Sequence, residues 1–222
     1  MLETNAPVII FGNHPSWWDP LIAHYLNLTQ FKPRQFYAPI DAEALKKYQV
    51  FKKLGFYGVS LSSHSGAAAF LKQSMSILQS PSTALWITPE GRFCDVRDHS
   101  AALMPGLSHL CTKLTNGHVV PMALEFVFWE ERLPECLVRF GEPLRVEQCS
   151  SMDKAAWNDA LVIALRTAQQ RLAEDSIARD STRFSPALRG RAGAGGLYDM
   201  MRRMKSFFSG EKLSLEHGEK LQ

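Results

Sequence analysis

Short apolar runs alternating with longer segments of helical periodicity constrain this chain more than any other feature. VIIF (8–11), the run at Phe36–Tyr37–Ala38, FYGV (56–59), ALWI (84–87), VVPMALEF (119–126) and LVRF (137–140) read as strands. Residues 20–28, 41–53, 65–79, 105–115 and 153–178 read as helices. In 65–79, Ala68, Leu71, Met75 and Leu78 recur at three and four, which predicts one apolar face. In 153–178, Trp157, Leu161, Leu165, Ala168 and Leu172 form a continuous stripe behind Asp153, a natural N-cap. Alternation at this spacing predicts an α/β fold with a mostly parallel or mixed central sheet flanked by helices. The later strands, linked through PEC at 134–136, are expected to add an antiparallel pairing. Pro121 suggests that its segment begins a strand or lies at an edge.

The chain has 222 residues, 45% of them hydrophobic, enough for one full-sized core, placed at residues 1–180. Its 25 Lys plus Arg nearly balance 22 Asp plus Glu, so general electrostatic binding to nucleic acid is not expected. The surplus is local. Residues 189–212 carry six basic side chains against two acidic ones, while residues 1–188 are neutral in sum. Residues 181–196 read as a Gly/Ala/Arg-rich linker, and 197–222 as a basic amphipathic helix and tail. That helix suits an anionic membrane surface, although docking on the body or a partner explains the same pattern. Cys94, Cys111, Cys136 and Cys149 have neither CxxC nor CxxH spacing, so free thiols and no metal site are expected. The start lacks the pattern of a secretory leader, and no apolar stretch reaches the roughly 20 residues of a membrane span.

Two segments carry candidate chemistry. In GNHPSWWDP (12–20), directly after the first apolar run, a turn through residues 15–18 would let Asp19 accept the Nδ1–H of His14. Nε2 would then be free to take a proton from a hydroxyl, with Asn13 holding the turn or donating to a nearby carbonyl. In WITPEGRF (86–93), Pro89 and Gly91 make a tight turn around Glu90. Glu90 is expected to accept from a substrate hydroxyl or to hold a neighbouring basic group, and Arg92 to bind phosphate. A surface turn with a salt bridge would give the same pattern. Lys46, Lys47, Lys52 and Lys53 cluster near a helix end, where they suit an anionic lipid or carrier surface, or simply a solvated face. His99, His118 and His217 read as loop or tail residues.

Together these segments resemble the glycerolipid acyltransferase family, the PlsC-like lysophospholipid acyltransferases, over roughly residues 8–170. The family's NH-x4-D motif is matched by Asn13, His14 and Asp19, its third motif by Pro89, Glu90 and Gly91, and its final hydrophobic-Pro motif by Val120–Pro121. The segment equivalent to the second motif, GFYGVSLSS (55–63), lacks the family's Arg, which leaves Arg92, Lys72 or Arg97 as phosphate ligands or an acceptor without phosphate. The resemblance implies transfer of a fatty acyl group from acyl-CoA or acyl-ACP to a lysophospholipid or glycerolipid hydroxyl. It assigns His14 and Asp19 as the base pair and Asn13, Glu90, Gly91 and Arg92 to substrate binding. It further implies no bound cofactor, partners limited to the lipid, an anionic membrane and acyl carrier protein, and a site on the inner face of the cell membrane.

Overall fold

The computed structural model describes residues 5–60, 63–129 and 133–188. Residues 5–60, 63–124 and Val138–Leu172 form one compact unit; of the described residues, 125–129, 133–137 and 173–188 form another. The predicted helix and tail at 197–222 lie outside the described residues, as does the linker beyond Leu188.

The first unit is built on a mixed sheet. The strands are β1 (Val8–Gly12), β2 (Gln35–Asp41), β3 (Phe56–Val59), β4 (Thr83–Ile87), β5 (His118–Val127), β6 (Glu135–Phe140) and β7 (Leu144–Arg145), of which β5 to Leu124 and β6 from Val138 belong to this unit. Spatial order is β3-β2-β4-β1-β5-β6, with β7 also paired to β5. Strand β1 runs parallel to both β4 and β5, pairing Ile10 with Trp86 and Val120. All five of its residues are buried, which explains its uninterrupted apolar run. The antiparallel pair is β5 with β7, a two-residue strand that the apolar runs did not announce.

Helices α1 (Asp19–Gln30), α2 (Ala42–Lys47), α3 (Val50–Lys53), α4 (His64–Leu78), α5 (Pro105–Cys111) and α6 (Lys154–Ala178) cover the sheet. One face, with Ile9, Phe11, Leu85 and Val119, packs in a single core with Leu78, Leu107, Leu110, Trp157, Leu161 and Leu165. The predicted α6 stripe is buried throughout to Leu172, each large side chain contributing about 1.5–3 kcal/mol. Asp153 caps that helix by accepting the Ala156 N–H at 2.8 Å. The opposite sheet face meets α1: Trp86 Nε1 donates to Asn27 Oδ1 at 3.0 Å, and His24 stands edge-on to Phe36.

Four expectations change. The helix expected at 41–53 breaks at Tyr48 into α2 and α3, and Phe51 turns inward against Phe56. On α4 the inward face is rotated: Ala68 is exposed and Ser74 fully buried. Tyr57 satisfies the Ser74 hydroxyl at 2.8 Å, so a polar residue occupies a core position. Pro121 lies inside β5, buried beside β1, rather than at a strand start or edge. Its carbonyl accepts the Gly141 N–H at 2.9 Å, so its missing donor falls on the side where β6 has ended. His118 opens β5 and is buried, not a loop residue.

In the second unit Asp180 caps the 3-10 turn Ser181–Arg183, Arg183 pairs with Asp175 at 3.2 Å, and Trp129 meets Phe184 edge-on.

Candidate active site

The first motif follows the carboxyl end of β1, where an α/β sheet offers backbone and side chains to a ligand. Asn13 is buried there. Its amide donates to the Leu124 carbonyl at 2.9 Å, and its Oδ1 accepts the Leu124 N–H at 2.9 Å, which locks the loop to β5. Pro15 and Ser16 turn the chain back, and Trp18 N–H bonds Ser16 Oγ at 3.2 Å. Asp19 then opens α1 with Pro20 in the first turn, a position that needs no N–H donor.

This turn brings His14 Nδ1 to 2.7 Å from Asp19 Oδ2, and the same oxygen accepts the Ser16 N–H at 3.0 Å. An ionised carboxylate only accepts, so it holds the proton on Nδ1 and leaves the Nε2 lone pair available. Nε2 has no hydrogen-bond partner among the described residues, and the imidazole, 18% exposed, lines a cavity. Phe93 covers the ring at a centroid distance of 4.4 Å.

The third motif holds His14 from its other side. Cys94 N–H donates to the His14 carbonyl at 3.0 Å, and the His14 N–H donates to Glu90 Oε2 at 3.1 Å. Glu90 is not among the residues lining the cavity and takes the second of its two expected roles, holding a basic group. Its side chain is 1% exposed, and Oε1 receives Arg166 Nη1 at 3.0 Å. Arg166 is held in turn by Gln169 Oε1 at 2.6 Å and by the Ala101 carbonyl. A buried carboxylate requires such a cation. Burial pushes the neighbouring Cys94 thiol above its ordinary value, and the Glu90 charge adds to the rise.

Gly91 and Arg92 do line the cavity. Gly91 has φ +64°, and a Cβ there would strike Met104 Sδ, so the turn demands glycine. The Arg92 guanidinium is exposed and has no hydrogen-bond or ion-pair partner among the described residues. Arg97 is instead held by both oxygens of Asp95 at 2.8 and 2.7 Å. Of the second-motif segment, Phe56, Val59 and Ser60 line the cavity, while residues 61–62 lie outside the described residues. Lys72 is exposed on α4 and does not line the cavity.

The cavity measures about 460 Å³. Its lining combines the small residues Gly12, Ala23 and Ala38 with the bulky Trp86, Phe56 and Met122. Neither tryptophan of the first motif is in the core; Trp17 lines the mouth, and Trp18 is exposed beside it. Among the described residues no three His, Cys, Asp or Glu side chains are grouped to hold a metal, and no helix is long and apolar enough to cross a membrane. Sequence reasoning missed Arg166, Gln169 and Phe93. The one available signal for the first two was that they flank the α6 stripe three residues apart.

A family model described as Acyltransferase matches residues 1–125, which hold both motif loops and the first four strands. The chain belongs to this PlsC-like acyltransferase family, and acyl transfer is its general activity. No curated protein matches the sequence.

Proposed function

We propose that this acyltransferase moves a fatty acyl group from a thioester, acyl-CoA or acyl-ACP, to the hydroxyl of a lysophospholipid or glycerolipid. The observation that carries the reading is the 2.7 Å His14–Asp19 pair at the lip of an apolar cavity. An acyl chain lies in the cavity and brings its carbonyl to His14. Nε2 takes the acceptor proton as the oxygen attacks, and Asp19 stabilises the imidazolium. The tetrahedral intermediate then expels the thiolate, which recovers the proton from Nε2. Arg92, the unpaired cation at the mouth, is suited to an acceptor phosphate. The reaction takes place at the inner face of the cell membrane, with no resident cofactor.

One observation favours a second acceptor class. The second-motif segment supplies no arginine, and Arg97 is engaged by Asp95. An alcohol, amine, isoprenoid or sugar acceptor without phosphate would need neither.

Thiol release with acyl-CoA and acyl-ACP, against lyso-lipids and neutral alcohols with mass detection, tests the reading. His14→Ala is expected to lower kcat by about two to four orders of magnitude. Arg92→Gln is expected to raise KM for a phosphorylated acceptor and to spare a neutral one. No product from either donor, with folded protein and membrane supplied, would favour a silent membrane-bound scaffold.

A further inference from the structure

Three aromatic side chains stand together, and two of them, Trp17 and Tyr48, line the cavity. Trp17 and Trp18, 51% and 58% exposed, meet edge to face at 5.8 Å, and Trp17 reaches the exposed Tyr48 at 6.0 Å. Val50, 60% exposed, opens α3 between Tyr48 and the buried Phe51. Such a contiguous patch on a water-facing surface is unfavourable unless something covers it.

A basic flank adjoins it. Lys46, Lys47, Lys52 and Lys53 are exposed at the ends of α2 and α3. The acidic groups nearby are occupied: Glu43 holds Lys46 at 2.7 Å, and Asp41 Oδ1 accepts the Glu43 and Ala44 N–H groups. Lys47 lies over the Tyr48 ring at 5.3 Å. Lys47, Lys52 and Lys53 have no carboxylate partner among the described residues.

We infer that this face seats on an anionic lipid bilayer. Trp17, Trp18, Tyr48 and Val50 enter the boundary between headgroups and acyl chains, where an indole keeps its ring in apolar surroundings and its N–H in polar ones. Lys47, Lys52 and Lys53 meet the lipid phosphates. An acidic carrier protein would satisfy the lysines alone. A bilayer also covers the whole aromatic patch, and because Trp17 and Tyr48 line the cavity too, an apolar substrate passes into it without crossing water. The direction of that passage rests on the lipid-acceptor reading.

Flotation of the full chain with vesicles of phosphatidylcholine, with and without phosphatidylglycerol, tests the surface. The parent is expected to float with the anionic vesicles, to be released as salt rises, and to lose tryptophan fluorescence when the acyl chains are brominated. Val50→Asp and the double variant Lys52→Gln/Lys53→Gln are each expected to weaken partitioning by at least about ten-fold. Their melting temperatures and their transfer to a water-soluble short-chain acceptor should match the parent. Variants that float like the parent, or a parent that binds acyl carrier protein and no vesicle, would overturn the inference. A parent that floats and is quenched but acylates nothing would leave the surface standing without the catalytic reading. Transfer to a soluble acceptor without flotation would do the reverse.

Discussion

Arg166 Nη1 stands 3.0 Å from Glu90 Oε1, and the other oxygen of that carboxylate accepts the His14 backbone N–H. A helix beyond the family-matched region thereby supports the loop that carries the histidine. Arg166→Met strands a buried carboxylate and is expected to lower stability by about 3–5 kcal/mol. Glu90→Gln in the same chain removes the stranded charge and is expected to restore part of that loss. Urea unfolding of the two single variants and the double variant measures the coupling, expected at about 1 kcal/mol or more.

Asn13 makes both of its bonds to Leu124. Asn13→Ala leaves a buried N–H and a buried C=O unpaired, at about 1–3 kcal/mol for each group. The loss should appear as a lower melting temperature, with KM for the acceptor little changed. Asn13 also lines the cavity, so a raised KM at unchanged stability would show a substrate-binding role instead.

Ala38 leaves space that a larger side chain would take from the cavity. Ala38→Leu is expected to displace about two methylenes of a long acyl chain, at about 0.8 kcal/mol each. That amounts to about a ten-fold loss in kcat/KM for long-chain thioesters, with short ones spared. Competition between donors of different length reads the ratio.

His24 tests the α1 side of the sheet. Burial holds its imidazole below the usual value of about 6.5, and its Nδ1 is buried without a partner among the described residues. On acidification the unfolded chain therefore takes up the proton first. Stability should fall as pH drops from about 6.5 towards the lowered value, and this contribution should be constant on either side of that window. His24→Leu should remove this part of the acid sensitivity, measured as urea midpoints across pH.

Much of this architecture is legible in the amino-acid sequence. The bounds of FYGV, the fully apolar VIIF and the α6 stripe follow from periodicity, because a side chain's burial tracks its position along a regular element. The His14–Asp19 pair was legible too, since a five-residue turn with a proline brings its ends together locally. Local spacing was silent wherever a partner came from far along the chain. Ser74 reads as a polar position until Tyr57 meets it, and Pro121 reads as an edge residue until the end of β6 removes the need for its N–H.

The sequence by itself determined the α/β class, the two motif loops and the pairing of His14 with Asp19. Only the tertiary structure decided that Glu90 serves Arg166 and the His14 backbone rather than the cavity. It alone also showed that Asn13 is bound to Leu124, and that Ala23, Ala38 and Trp86 line one cavity. The physical reason is separation: Glu90 and Arg166 are 76 positions apart in the chain, and Asn13 and Leu124 are 111 apart. Contacts across such distances are set by how strands order and helices pack, not by any spacing a local segment can carry.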